Sequence, residues 1–458
     1  MKNGANNLQE RLIDLVRSGA RGETLAAFLR TMHPADIAEA LEELSDEERD
    51  AVVSLLEAEE AGEVITETSD EQKEEILEEI PVSRLALLVN EMPPDEAADV
   101  LEYMDPERAD AVLGRIGGEL ARDVRELRRY KPETAGRIMT QEYMAVPATL
   151  SAGETLEWAR KETGKAETVH HILVIDPGGR LLGAVEMQEL LAAAAEKPVA
   201  QLMDRAIIRI HAEQDREIAA HMMEKYDLEI LAVVGDGDRL LGIITVDDIL
   251  EVISEEASED MYRLAGIGTD DPFGESVLKR AYKRLPWLTT TLVGGLGLAV
   301  IIRHFQPTLD KILALIFFTP VIAGLSGNVG IQSSTITVRG LATGAIHLRD
   351  LFWLLRRELA VGAIIGLVCA LCIALAAYGV LGEGAGAAGV HDLFRFCGIL
   401  GTAVLAGILV AVLIGTIAPM GCHRLGIDPA VAAGPFVTVV IDIATQSLYL
   451  TIATLLLL

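Results

Sequence analysis

Residues 434–450 read GPFVTVVIDIATQSLYL, an apolar stretch with a single acidic side chain, Asp442, near its middle. An apolar helix of roughly 20 residues crosses the hydrocarbon core of a bilayer, so this stretch predicts a membrane span. A carboxylate at that depth costs about 3 kcal/mol or more, and it usually faces a partner or a water-filled path. The stretch therefore predicts an integral membrane protein with a functional carboxylate in its last span.

Four further apolar stretches precede this one. The predicted spans cover residues 287–302, 312–338, 359–381, 396–420 and 430–458. Basic residues concentrate before the first span, between the second and third, and between the fourth and fifth, which marks these segments as cytosolic. We therefore expect a multi-pass protein of the cell (inner) membrane, with cytosolic N-terminal domains and an external C-terminus.

The second predicted span contains PVIAGLSGNVGIQ at residues 320–332. Gly324, Gly327 and Gly330 recur every three residues around two amide side chains, Asn328 and Gln332. Small residues permit close helix approach, and glycine-rich spans are tolerated where backbone lines a cavity. The motif predicts either a tight packing face with hydrogen-bonded amides or the wall of an ion path.

No Lys or Arg lies at a depth matching Asp442 in another predicted span. A transported cation is therefore the expected partner; the alternative is a protonated carboxyl packed against Asn328 or Thr438. Oxygen ligands favour hard cations such as Mg²⁺ or Ca²⁺, and Mg²⁺ usually keeps several waters. A symmetric dimer would place two carboxylates around one axis. The expected pore residues are Gly324, Gly327, Asn328, Gln332, Thr438, Asp442 and Thr445.

Residues 1–271 carry more negative charge than the chain's net of −30, because the apolar remainder is slightly basic. Such an acidic surface repels nucleic acid and attracts cations, although it is also compatible with a merely solubilising role. All four cysteines lie in the apolar part, so the N-terminal part has no disulfide framework.

Residues 34–116 contain an internal repeat with a spacing of 60. Pro34, Ala38 and Leu41 correspond to Pro94, Ala98 and Leu101. Such a repeat predicts a small α-superhelix of stacked helices. Its Asp95 and Asp99 are four residues apart and share one helix face, which predicts either a solvated surface or a divalent-cation site.

A second repeat covers residues 138–258. Each copy predicts a β-α-β-β-α unit, with the apolar strands HHILVID and EILAVVGD followed by glycine-bounded turns. The pattern resembles a tandem pair of cystathionine-β-synthase (CBS) domains. Thr245 and Asp248 are similar to the nucleotide-ribose motif of that family, whereas the first copy has Glu186 in place of Thr245. The resemblance implies an adenine-nucleotide (ATP) site in one copy at most.

The second unit continues into a predicted acidic helix. Asp248, Glu251, Glu255 and Glu259 follow one another at i, i+3, i+7 and i+11 on one face. Like charges at this spacing destabilise a helix, so an acidic face beside another acidic surface requires counter-cations. The ladder predicts a sensor in which cytosolic divalent ions bridge carboxylates; the alternative is a solvated linker helix.

The order of these parts resembles the MgtE family of magnesium channels or transporters along nearly the whole chain, most specifically at GNVGIQ (327–332) and from Asp428 to Asp442. The resemblance implies a homodimer with one pore, Asp442 as the Mg²⁺ contact, and the connecting helix as a plug closed by cytosolic Mg²⁺. The implied metal-binding acids are Asp95, Asp99, Glu217, Asp227, Asp248, Glu251, Glu256, Glu259 and Asp260. Two positions depart from the family pattern: Thr445 replaces a glycine, and Glu251 replaces an aspartate.

We therefore expect four parts. They are an α-superhelical domain (1–133), tandem α/β CBS domains (134–258; copies 137–198 and 200–258), a connecting plug helix and elbow (247–284), and a five-helix α transmembrane bundle (285–458). The predicted function is a homodimeric Mg²⁺ channel with lipid and divalent cations as its other partners. The alternative is a proton-coupled or less selective transporter of Co²⁺, Mn²⁺ or Ca²⁺. No enzyme motif is present, so an enzyme is not expected.

Overall fold

The computed structural model describes residues 2–18, 22–164, 166–267, 277–382, 385, 389–430 and 434–458, apart from the side chains of residues 2–7, 70 and 71. The chain divides into two compact units, Met1–Glu256 and Ala257–Leu458. The predicted fold class is confirmed: helices precede two small α/β units, a long acidic helix and five apolar helices.

Ten short helices open the first unit. They are α1 (Lys2–Arg17), α2 (Glu23–Leu29), α3 (Pro34–Leu41), α4 (Asp46–Val53), α5 (Ala58–Glu67), α6 (Asp70–Glu79), α7 (Val82–Glu91), α8 (Pro94–Val100), α9 (Pro106–Leu113) and α10 (Gly118–Leu127). The spacing of 60 recurs in the structure, because α3 and α8 both begin at a proline in the first helical turn, where its missing N–H costs nothing. Ala38 and Ala98 are both buried at equivalent places in the stack.

The two α/β units follow. Their elements are β1 (Ala145–Pro147), α11 (Ala152–Glu162), β2 (His171–Ile175), β3 (Leu181–Glu186), α12 (Met187–Ala192), β4 (Arg209–His211), α13 (Arg216–Tyr226), β5 (Ile230–Val234), β6 (Leu240–Thr245) and α14 (Val246–Leu264). Each sheet has three strands, of which the first two are parallel and the last two antiparallel. The predicted β-α-β-β-α repeat is therefore present twice.

Each α/β unit is joined to the other by the chain segment that precedes its own first strand. Thr140, before β1, bridges to Ile243 of β6, and Asp204, before β4, bridges to Ala184 of β3. Glycine is needed where these segments cross: a Cβ at Gly242 would lie 2.6 Å from the carbonyl oxygen of Thr140. The exchange of segments makes the pair one packed body.

Helix α14 begins directly after β6 and runs without a break for 19 residues. The ladder acids Asp248, Glu251, Glu255 and Glu259 all lie on it, as predicted. Ile249 and Val252 are the residues that it buries, in a hydrophobic core shared by α1–α10 and the second α/β unit. The predicted elbow after the plug helix falls partly at residues 268–276, outside the described residues.

The second unit contains five helices that are long and apolar enough to cross a membrane. The helices of this unit after α14 are α15 (Val277–His304), α16 (Gln306–Lys311), α17 (Ala314–Ala342), α18 (Leu351–Leu381), α19 (Leu393–Arg424) and α20 (Pro435–Leu457). α15, α17, α18, α19 and α20 are the five candidates; α16 is a short connection.

The helix bounds differ from the predicted spans, most of all at the starts of α15 and α18. α15 begins ten residues before the predicted start at 287 and thus carries the basic residues 279–284, while α18 begins at Leu351, eight residues before the predicted start at 359. α17 is one helix through the glycine motif, despite Pro320 inside it. Hydropathy marks the apolar core of a helix, whereas backbone hydrogen bonding continues into its polar ends. Residues 431–433 of the predicted fifth span are outside the described residues.

Glycines let the backbones of α17 and α19 approach each other. A Cβ at Gly415 of α19 would overlap the carbonyl oxygen of Gly330 on α17, and one at Gly330 would overlap Ile441 of α20. The hydrophobic effect does not drive helices together in lipid, so close van der Waals packing at small residues stabilises such crossings instead.

We predict that Gly415→Ala destabilises the membrane unit by about 1–3 kcal/mol, because the added methyl group has no room beside a backbone atom. The measurement is the melting temperature of the purified chain in detergent. Gly398→Ala, on the same helix with open space around it, is the control and should leave the melting temperature unchanged or higher. Equal melting temperatures for the two variants would contradict the packing described here.

Candidate functional site

Asp442 lies on α20, which begins at Pro435 after the N-cap residue Gly434. Its side chain is half-buried. A Cβ at Gly327 of α17 would lie 3.8 Å from Asp442 Oδ1, so the carboxylate faces the glycine motif across the α17–α20 contact. No ion pair joins Asp442 to a basic side chain in the part of the chain that the structure describes.

The amides of the glycine motif lie on an open face of α17. Gly324, Asn328 and Gln332 are spaced by four residues and all three are exposed, whereas Gly327 and Gly330 are buried. Exposed amides in an apolar span are costly against lipid. This face therefore suits water, an ion or a second protein surface better than hydrocarbon.

Thr438 and Thr445, both expected at the pore with Asp442, lie in different surroundings. Thr438 is half-buried and donates its hydroxyl to the carbonyl oxygen of Gly434 at 3.4 Å. Thr445 is fully buried, and its Cβ would be 3.8 Å from a Cβ on Gly407 of α19. Thr445 thus packs against α19 and does not share the half-open side of Asp442.

A second carboxylate lies on one of the five candidate membrane helices. Glu358 of α18 accepts a hydrogen bond of 2.9 Å from the hydroxyl of Ser333 on α17. The sequence placed Glu358 just before the third span, because it follows the basic pair Arg356–Arg357.

The first unit contains a separate cluster of acids. Asp95 of α8 has only 7% of its surface exposed, and its Oδ1 has no hydrogen-bond partner among the described residues. Burial raises the pKa of Asp95 well above its ordinary value, and the negative charges of Asp248 and Glu167 raise it further. A buried carboxylate without a partner is among the most costly groups that a protein can hold.

Glu167 and Asp248 lie near this aspartate, and Asp247 lies beside both of them. Each of the three offers a carboxylate oxygen, and these oxygens lie within 4.8 Å of one another, a spacing suited to a shared metal ion. Like charges at such distances repel strongly unless a cation joins them. The sequence did not single out Glu167 or Asp247: Glu167 lies in the loop before β2, and only tertiary packing brings it to α14.

Three arginines pair with four of the other predicted metal-binding acids. Arg137 contacts Asp99 at 2.7 Å, and Arg263 pairs with both Glu259 and Asp428. Arg216 contacts Glu255 at 2.7 Å and Glu256 at 2.9 Å. These acids have a positive partner within the chain, so the need for an external cation falls chiefly on the acidic cluster, which we define as Asp95, Glu167, Asp247 and Asp248.

The remaining predicted residues occupy several places. Glu217 and Asp227 are exposed at the two ends of α13, and Glu251 and Asp260 lie on α14. Among the described residues of the first unit, Glu217, Asp227 and Glu251 do not form a group spaced for a shared metal ion. Thr245 donates its hydroxyl to Asp248, which holds the carboxylate at the start of α14.

Comparisons with known families cover most of the chain. Residues 319–452 match the MgtE family, described as a divalent cation transporter, and residues 32–133 match the MgtE intracellular N domain. Residues 199–255 match the CBS domain.

Curated relatives match over comparable lengths. The magnesium transporters MgtE of Thermus thermophilus and Bacillus subtilis are each 33% identical to this chain, over 73% and 72% of it and over 72% and 71% of their own lengths. The magnesium transporter MgtE of Enterococcus faecalis is 34% identical over 74% of this chain and 72% of its own.

Two solved structures resemble the first part of the chain. One is the cytosolic domain of the Mg²⁺ channel MgtE in complex with ATP, with 33% identity, a TM-score of 0.51, and coverage of 54% of this chain and 99% of that one. The other is the soluble part of a magnesium transporter, with 25% identity, a TM-score of 0.50, and coverage of 55% and 99%.

We predict that Glu167→Gln weakens divalent-cation binding by the purified chain by at least about tenfold, because it removes one charged oxygen from a cluster of few ligands. Mn²⁺, titrated and followed by electron paramagnetic resonance, is the probe. Glu157→Gln, an exposed acid of α11, is the control. Equal Mn²⁺ binding by both variants would show that Glu167 is not a ligand.

Proposed function

The chain belongs to the MgtE family of divalent cation transporters, and we propose that it is a Mg²⁺-selective channel whose pore lies on the axis of a homodimer. The observation that carries this proposal is the position of Asp442, half-open across from Gly327 in the membrane unit. The named relatives support magnesium as the transported ion.

The chemistry around Asp442 favours a hydrated ion. Mg²⁺ loses its waters reluctantly and is usually held through one or two carboxylates together with water. Asp442 supplies one negative charge, and Asn328 and Gln332 supply amide oxygens on the neighbouring open face. Such acceptors bind the water shell and select for charge and size without removing it.

A second copy of the chain accounts for surfaces that one copy leaves open. The exposed amides of α17 would be removed from lipid if two copies met along this face. An isologous dimer would also bring two Asp442 carboxylates to one axis, doubling the charge that attracts a divalent ion. On this proposal the pore is formed only in the dimer.

Regulation by cytosolic Mg²⁺ is proposed at the acidic cluster. The cluster brings together α8, the loop before β2 and the start of α14, and its carboxylates repel one another until a cation joins them. Mg²⁺ at this place would hold α14 against the preceding helices and keep the channel closed. Low cytosolic Mg²⁺ would release these elements and favour opening.

Nucleotide binding is a further part of the proposal. Thr245 and Asp248, which are similar to the nucleotide-ribose motif of CBS domains, lie in hydrogen-bond contact, and a similar solved cytosolic domain is in complex with ATP. We propose one adenine-nucleotide site there. The proposed topology places the helical and CBS domains in the cytosol and the C-terminus of α20 outside.

Asp442→Asn is predicted to abolish Mg²⁺ flux, because the neutral amide no longer offsets the cost of a divalent ion in the membrane. The measurement is Mg²⁺ uptake into proteoliposomes, with dimer content checked by cross-linking. Asp350→Asn, before α18, is the control and should retain flux. Wild-type uptake by Asp442→Asn would refute the pore assignment.

Asp95→Asn combined with Asp248→Asn is predicted to leave the channel conducting at cytosolic Mg²⁺ concentrations that close the wild type, because the amides remove the charged ligands through which Mg²⁺ would join α8 to α14. The measurement is current in excised patches against Mg²⁺ on the cytosolic face. Asp110→Asn, an exposed acid of α9, should close like the wild type. Normal closure of the double variant would contradict this gating site.

A further inference from the structure

Three polar side chains lie on one face of α20. Asp442, Gln446 and Tyr449 occupy positions i, i+4 and i+7 of the same helix. Gln446 is fully buried and Tyr449 is 1% exposed, unlike the half-open Asp442. Two fully buried polar side chains next to a functional carboxylate require an explanation, because apolar residues would pack there without a desolvation cost.

Both buried side chains bind the backbone of α17. Gln446 Nε2 donates to the carbonyl oxygen of Thr319 at 2.9 Å, and the Tyr449 hydroxyl donates to the carbonyl oxygen of Leu315 at 2.8 Å. Leu315 and Thr319 lie in the first turns of α17, on the N-terminal side of Pro320. The carbonyl that Pro320 leaves without a helical donor is that of Ile316, four residues earlier, so these two bonds do not replace the one that the proline removes.

The contacts define an antiparallel register between the two helices. Asp442 lies opposite Gly327, Gln446 opposite Thr319, and Tyr449 opposite Leu315. Moving along α20 by seven residues therefore moves the contact back along α17 by twelve. A slip of α20 by one residue would break both hydrogen bonds inside a region that offers no water to replace them.

Gln446 makes this contact at a cost. Its Oε1 is buried and has no hydrogen-bond partner among the described residues. An amide with one satisfied and one unsatisfied end contributes little net stability. The bond to Thr319 is better understood as fixing the orientation of α20 than as strengthening the fold.

We propose that Gln446 and Tyr449 are positioning residues that set the depth and rotation of Asp442 in the ion path. This polar clamp, Gln446 and Tyr449 on the carbonyls of Thr319 and Leu315, acts through Asp442 and does not touch the ion. The inference rests on the proposed role of Asp442, and it adds ion selectivity as the property that the clamp controls.

The test uses Tyr449→Phe and Gln446→Leu, singly and together, in the full-length chain reconstituted into proteoliposomes. The expected result is a change of about threefold or more in the Mg²⁺-to-Mn²⁺ uptake ratio for each variant, the equilibrium equivalent of one membrane hydrogen bond of average strength. Tyr449→Phe keeps the ring and its packing. Tyr378→Phe, an exposed tyrosine of α18, is the matched control and should leave the ratio unchanged.

A purely structural role would give a different result. In that case the variants would lower the melting temperature or the yield, while the uptake ratio per folded dimer stayed at the wild-type value, and the clamp proposal would fall. Asp442→Asn is measured in parallel. If it abolishes flux while the clamp variants keep the wild-type ratio, the clamp proposal alone fails; if it leaves flux intact, the pore assignment fails and the clamp proposal falls with it.

Discussion

A bilayer offers no water to polar groups, so the protein itself must provide for every polar atom in the membrane unit. This constraint organises the contact between α17 and α20. Gly327 leaves room beside the Asp442 carboxylate, while Gln446 and Tyr449 occupy the carbonyls before Pro320. The same contact thus leaves one polar side chain half-buried and buries the next two completely. The carboxylate proposed to contact the ion is one helical turn from the side chains that fix its helix.

The first unit must instead accommodate an excess of negative charge. Arg137 and Arg216 pair with acids that the sequence marks as ion ligands, and they leave Asp95 with the carboxylates of Glu167, Asp247 and Asp248. Among the described residues, carboxylates close enough to share one metal ion lie where the loop before β2 meets the start of α14. We propose that a divalent ion acts there by changing repulsion between these segments into attraction.

The sequence predicted those features that a one-dimensional pattern records. A repeat with a spacing of 60 residues predicted the stacked helices to which α3 and α8 belong. A lone charge in an apolar stretch singled out Asp442 as a candidate functional residue. Glu167 escaped prediction because only folding brings its loop to α14. Gln446 and Tyr449 escaped because their partners are backbone carbonyls, which every residue has. Thr445 was expected to line the pore together with Asp442. Because it lies three residues further along α20, its side chain points about 60° away from that of Asp442 and packs against α19.

The arginine pairs on α14 have a practical consequence for handling the protein. A chelator removes divalent ions, but it cannot remove a guanidinium that belongs to the chain and stays protonated at any ordinary pH. In a chelated sample, Glu255, Glu256 and Glu259 would keep their positive partners Arg216 and Arg263, whereas Asp247 and Asp248 would be left as bare carboxylates. The two ends of one helix would thus respond differently to the same treatment, with repulsion between carboxylates returning only at the end nearest β6.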